Sequence, residues 1–304
     1  MALFPLQKKP VKLLAAAWTS LISLWLTITG YIVAWILIHP LKLPLLRKPA
    51  GILYQDVAFP SPLDGLQLRG WWFPGGGTQA VIFAHGYRGH RNDKQFLGLA
   101  RELVRHGYSV LMFDFRSCCK SDGFVTTASV LEQHDLLGAV QFVKKVKQVE
   151  QTAVIGWSMG AAAAILAARQ TGDIAALICD SPFDDLESYL AENLSKWTLL
   201  PRIFTPYIMR AFEALIQQPC RLSSPIRHVG DVTAPTLFIH SRHDSMIPYH
   251  HSLLLYEAAR ADKELWLTDS AKHVESHLLH SDLYGRRVLS FLHRHMPRTK
   301  GLAR

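Results

Sequence analysis

Three regimes of apolar and polar positions follow one another along this chain. From Leu13 to Ile38 there are 26 consecutive uncharged residues, with Trp18, Trp25, Tyr31 and Trp35 spread along them and no polar face at helical spacing. At ~1.5 Å per residue such a helix reaches ~39 Å, more than the ~30 Å hydrocarbon core of a bilayer, so it is predicted to span a membrane with some tilt. A cleaved signal peptide would carry a shorter apolar run and a small-residue cleavage site. Here His39-Pro40-Leu41-Lys42-Leu43-Pro44 follows instead. Residues 1–50 therefore read as a membrane anchor, with its helix at about 13–38, and a Pro/Lys linker over 40–49.

Beyond residue 50, short β-branched and aliphatic runs alternate with helical patterns. Strands are predicted at 54–59, 66–73, 80–85, 109–114, 153–157, 175–180, 235–241 and 264–269, and helices at 93–106, 128–149, 159–170, 250–261 and 281–296. Pro62, Asp64 and Gly65 separate the first two strands as an antiparallel hairpin. The later runs are solidly apolar, as strands covered on both faces must be. The pattern predicts one α/β domain over 51–304, a mostly parallel eight-stranded sheet with helices on both faces. Residues 186–232 supply no strand but are rich in Leu, Ile, Phe, Tyr and Trp and punctuated by Pro201, Pro206, Pro219 and Pro225, which reads as a helical cap.

Composition narrows the function classes. With 304 residues, 49% of them apolar, the chain can bury a large core, and disorder or a disulfide-stapled mini-fold is excluded. The net charge of +9 sits at the two ends: residues 1–50 and 286–304 carry basic residues and no acid, while the body is slightly acidic. A basic nucleic-acid-binding face across the body is not expected. Lysines flank the apolar segment on both sides, and only the α-amino group tips the balance toward an N-terminus inside and a body outside. Cys118 and Cys119 are adjacent, and Cys179 and Cys220 have no spacing that implies a bridge or zinc. His243, His250 and His251 cluster near Asp244, yet no HExxH or cysteine set accompanies them, so neither a metal nor a cofactor is expected.

The candidate chemistry begins at Gly156-Trp157-Ser158-Met159-Gly160, directly after an apolar strand and directly before an Ala-rich helix. That context puts Ser158 on a sharp turn with its Oγ exposed and a helix N-terminus behind it. A serine hydroxyl needs a base and an orienting acid to act as a nucleophile. Asp244, in the loop after strand 235–241, is the candidate acid, with Asp180 as the alternative. His273, in the loop after strand 264–269, is the candidate base, with His277 and His280 as alternatives. Asp114 and Arg116 are expected to pair with each other beside the site.

Residues 51–304 resemble the α/β-hydrolase superfamily, and the whole chain resembles its membrane-anchored bacterial members, with likeness to eukaryotic membrane-associated ones. The stretches that carry the resemblance are Gly65–Trp71, His85-Gly86-Tyr87-Arg88, Asp114-Phe115-Arg116, the 156–160 elbow, Asp180-Ser181-Pro182-Phe183, and the last 70 residues with Asp244 and His273. The order Ser, Asp, His is the superfamily's. The resemblance implies an oxyanion hole made by the backbone N–H groups of Tyr87 and Met159. Two departures stand out: Arg116-Ser117-Cys118-Cys119 where the family reads Arg-Gly-x-Gly, and Lys272 where Gly usually precedes the histidine. The expected function is cofactor-free hydrolysis of esters or thioesters, with a lipid or other lipophilic acyl substrate suggested by anchor and cap. A peptidase of the same fold and a non-catalytic, membrane-tethered binding module are the alternatives.

Overall fold

The computed structural model describes residues 9–42, 48–269 and 272–297; part of the predicted linker, 43–47, and the basic residues Lys8, Arg298, Lys300 and Arg304 lie outside them. The strands are β1 (Gln55–Pro60), β2 (Gln67–Phe73), β3 (Gln79–Ala84), β4 (Ser109–Asp114), β5 (Gln151–Trp157), β6 (Ile174–Asp180), β7 (Thr236–Ser241) and β8 (Lys263–Thr268). Helices are α1 (Lys9–Ile38), α2 (Lys94–Arg105), α3 (Glu132–Gln141), α4 (Met159–Ala168), α5 (Leu186–Thr198), α6 (Thr205–Ile216), α7 (His250–Ala258), α8 (Ser276–Leu279) and α9 (Ser281–His295). Each predicted strand forms within two residues of its expected bounds.

One eight-stranded sheet runs in the order β1-β2-β4-β3-β5-β6-β7-β8. β1 and β2 pair antiparallel, β2 meets β4 antiparallel, and the remaining pairs are parallel. β3, β4 and β5 are buried along nearly their whole length, which explains their unbroken apolar runs. One face is covered by Leu136 and Ala139 of α3, Ala163 and Ala167 of α4, and Leu255 of α7. The other is covered by Leu99 and Leu103 of α2 and Val288 and Leu292 of α9. The chain leaves β3 for β4 on one side and later returns as β5 on the other. The carboxyl ends of β3 and β5 therefore flank a topological switch point, the usual place for a ligand crevice in such sheets.

The helix expected at 128–149 is shorter and irregular. Ala128 and Ser129 take left-handed backbone angles ahead of α3, and Phe142–Val146 form a π-helical turn after it. Between β6 and β7, α5 and α6 build the helical cap. Asp185 caps α5 by accepting from Ser188 N–H, and Pro206 opens the first turn of α6, where a missing N–H costs nothing.

α1 packs against the body of the protein. Leu26, Gly30, Ala34 and Ile38, spaced by four, are buried as a stripe that packs against α6. Gly30 makes the crossing tight: a Cβ there would sit 2.8 Å from Tyr207 Cβ. Small residues at a helix crossing let two backbones approach closely, in lipid as in water. Trp25 meets Phe204 edge-on with ring centroids 5.1 Å apart. Leu13, Trp18, Leu21, Ile28, Ile32 and Ile36 stay exposed, so the helix is apolar outward as well as inward.

Candidate active site

Ser158 sits between β5 and α4 with φ 53° and ψ −120°, a strained conformation for a residue with a side chain. Neighbouring glycines make the turn possible. A Cβ on Gly160 would fall 2.0 Å from Ala84 O, and one on Gly156 would fall 2.5 Å from Gly160 O. Three loops bring the predicted residues together. His273 Nε2 lies 3.0 Å from Ser158 Oγ, and His273 Nδ1 lies 2.7 Å from Asp244 Oδ2. A carboxylate only accepts, so Nδ1 carries the proton and Nε2 is left to accept from the serine hydroxyl.

Asp244 is held from every side. Its Oδ1 accepts from the N–H groups of Met246 and Ile247, both at 2.9 Å. His240 Nε2 approaches Oδ2 at 3.3 Å and also bonds Ile247 O. Burial alone would raise the carboxyl's pKa, but the hydrogen bonds from His240 and His273 outweigh it and hold Asp244 well below the usual carboxylate range. His240 is a site residue the sequence reading did not single out. Its signal was a polar residue within the fully buried run Thr236–Ser241.

The alternative residues lie elsewhere. Asp180 accepts from Ser181 Oγ at 2.9 Å and Tyr284 Oη at 3.0 Å, and burial pushes its pKa up to about 6. His277 packs against Tyr284, and His280 stands between α8 and α9. His250 and His251 face Glu192, and His251 Nδ1 donates to Asp184, so they tie α7 to the cap rather than join the triad.

Asp114 and Arg116 do not pair with each other. Arg91, in the loop after β3, bonds Asp114, while Arg116 forms a bidentate pair with Asp135 of α3 and reaches Asp64. The cause is the parallel β3–β4 neighbourhood, which lays the β3 loop over Asp114. Arg116 lies beyond the strand end, beside the first turn of α3. Ser117 and Cys119, standing where the family has glycines, keep left-handed angles of φ 61° and 44°. The loop thus retains a glycine-type path without the glycines.

The backbone after β3 crosses the nucleophile, and a Cβ on Gly86 would lie 3.3 Å from Ser158 Cβ. His85 pins this loop, with Nδ1–H donating to Gly86 O and Nε2 accepting from Phe115 N–H. Burial lowers its pKa to about 4, so the ring is neutral at pH 7. Met159 opens α4, so its N–H is among those that no intrahelical carbonyl can reach. On the other side of the loop, the last carbonyls of α1 are taken up by the site's rim. Ile36 O accepts from Arg88, Leu37 O from Tyr87 Oη at 2.6 Å, and Ile38 O from Thr126 N–H.

Above the triad is a cavity of about 310 Å³ whose walls include Leu37 of α1, Tyr189, Leu190 and Leu194 of α5, Phe212 of α6 and Ile247. Residues 77–221 match the family described as serine aminopeptidase, S33. The esterase Pf2001 of Pyrococcus furiosus superposes with a TM-score of 0.72 at 28% identity, over 86% of this chain and 98% of that one. The chain has the α/β-hydrolase fold. YqkD of Bacillus subtilis is 29% identical to this hydrolase over 75% of this chain and 76% of YqkD. Lysophosphatidylserine lipase ABHD12 of Danio rerio is 24% identical over 61% of the hydrolase and 48% of its own length.

Proposed function

We propose that this hydrolase is a membrane-anchored serine esterase or thioesterase of lipophilic acyl substrates. In this reading residues 1–50 are anchor and linker, 51–304 are the catalytic domain, 186–232 are its cap, and the domain lies on the extracytoplasmic side. The observation that carries the chemistry is the continuous hydrogen-bonded line from Ser158 through His273 to Asp244, beneath an apolar cavity.

Ser158 Oγ attacks the carbonyl carbon as His273 Nε2 takes its proton, and Asp244 stabilises the imidazolium. The Tyr87 and Met159 N–H groups receive the oxyanion, a term commonly worth ~3–4 kcal/mol of barrier per donor. His273 then protonates the departing alcohol or thiol. Water, deprotonated by the same nitrogen, releases the acyl group and restores Ser158. No cofactor enters the cycle.

The S33 description favours a second reading, an aminopeptidase. Such an enzyme needs a carboxylate to hold the substrate's α-amine. Among the described residues lining the cavity the one acid is Asp93, and it is occupied in capping α2 through Gln95 N–H. Ester hydrolysis fits the apolar walls better. The test is a fluorophosphonate probe on the full-length protein, expected to label the wild type, not Ser158→Ala, and His273→Ala only weakly. A panel of esters, thioesters and aminoacyl amides then ranks substrates. A folded wild type that is not labelled would refute the serine mechanism and favour the tethered binding module.

A further inference from the structure

We propose that the cap is partly immersed in the leaflet adjoining the catalytic domain, and that the acyl chain reaches Ser158 sideways out of that leaflet, between α1 and α5. This rests on the membrane-anchored esterase reading above and names how its site is filled.

The argument begins with where α1 is free and where it is packed. Residues 12–25 are exposed throughout, and the stripe against α6 starts only at Leu26. Fourteen residues at ~1.5 Å each cover ~21 Å, whereas the hydrocarbon core is ~30 Å thick. The bilayer must therefore extend about six residues further, to the level of Tyr31 and Ile32. The cap is docked at the start of that stretch and within it: Phe204 lies against Trp25, and Tyr207 against Gly30. Placing α1 across a membrane draws this end of the cap in with it, to a depth of about 10 Å, the range in which interfacial elements bury their apolar faces.

The surface that would be immersed has the required character. Leu199 is 92% exposed and Ile203 is 61% exposed. Leu199 also ends α5 in a left-handed conformation with φ 61°, where glycine is the usual residue. An apolar side chain is thus held outward at some conformational cost, which water does not repay and lipid does. The segment 195–212 contains Lys196, Arg202 and Arg210 and no acid. Arg202 and Arg210 are exposed, on long stems that can reach a headgroup layer, and favour an anionic one.

The cavity leads to the same place. Leu190, Leu194 and Thr198 line it at four-residue spacing along α5, and the next residue is the exposed Leu199. Leu37 of α1 lines it as well. The cavity therefore runs from Ser158, past Leu37 near the end of α1, to Thr198 at the end of α5. At about 310 Å³ it is at the small end of ligand pockets and suits one acyl chain rather than two.

Two measurements on the full-length protein in vesicles of 3:1 phosphatidylcholine and phosphatidylglycerol test this. First, Ile203→Cys is labelled with an environment-sensitive fluorophore in a Cys119→Ser background, the other three cysteines being buried. Lipids brominated along the acyl chain should quench it and should leave a label at Val146→Cys, an exposed site far along the chain, unaffected. No quenching at residue 203 overturns the immersion, and this arm needs no turnover. Second, the Leu199→Asp/Ile203→Asp protein should hydrolyse a vesicle-embedded long-chain ester about tenfold more slowly than wild type, while a water-soluble butyrate ester is cleaved within twofold of wild type. Equal effects on both esters overturn lateral access. A wild type that cleaves neither ester refutes the esterase reading instead, with the quenching result still deciding immersion.

Discussion

Tyr87→Phe isolates the link between α1 and the loop that crosses Ser158. The substitution keeps the backbone N–H assigned to the oxyanion and the ring, and removes only the hydroxyl that donates to Leu37 O at 2.6 Å. That carbonyl lies in the last turn of α1, where the helix itself offers no donor. Burial raises the Tyr87 pKa, so the hydroxyl stays protonated and donating across the working pH range. Losing a neutral hydrogen bond costs about 0.5–1.5 kcal/mol, and leaving the acceptor unpaired in a half-buried place brings the total to about 1–2 kcal/mol. If that energy is what holds the Gly86–Arg88 loop against Ser158, kcat falls about 5- to 30-fold, since each 1.36 kcal/mol is tenfold in rate. KM should move less than threefold, because the hydroxyl is directed at α1 rather than at the acyl group. The assay is steady-state hydrolysis of a soluble ester by full-length protein in detergent. A kcat within twofold of wild type, or a change confined to KM, would refute the idea that α1 positions the oxyanion loop.

Other substitutions probe the supports of the site. His240→Ala strips partners from Asp244, Ser252 and Ile247 O inside the sheet, and should lower unfolding free energy by about 2–3 kcal/mol in a denaturant titration. Ser117→Gly relieves a left-handed angle and deletes a buried hydroxyl that has no partner; a gain of about 1 kcal/mol, read as a raised Tm, is expected. Asp180 is raised to about 6 by burial, so between pH 4 and 6 the folded state binds more protons than the unfolded one and stability falls as pH rises. Asp180→Asn should flatten that slope in a Tm-versus-pH series. Asp244 has the opposite sign: its lowered pKa contributes stability above pH 4 that is lost only as pH falls through the folded value.

The central strands were legible because they are buried on both faces and so appear as apolar runs, such as Ala80–Ala84 and Ala153–Trp157. Ser158, Asp244 and His273 were legible because each stands just beyond such a run, where loops gather at one edge. What escaped notice depended on partners distant in sequence. Arg91 could not be matched to Asp114 without knowing that β3 and β4 are neighbours. His240 looked like a strand residue, and its hydrogen bond to Asp244 follows from the turn that begins at Ser241. The packing of α1 left a trace that went unread: Gly30 and Ala34, four apart within a row of large residues, mark a crossing. In an all-apolar helix a search for a polar face misses it.

The plugged end of α1 also constrains how the enzyme comes into being. The helix leaves the ribosome before anything that binds it. Tyr87 and Arg88 follow the carbonyls they bond by 50 and 52 residues, and α6 is made later still. Chains of this kind fold as they emerge, and contacts between distant segments close last. Where α1 spans a bilayer, as proposed above, the loop bearing Tyr87 and the cap can reach their final seats only at the membrane surface. On the proposed reading, completion of the cavity rim would thus be tied in time and place to the membrane surface.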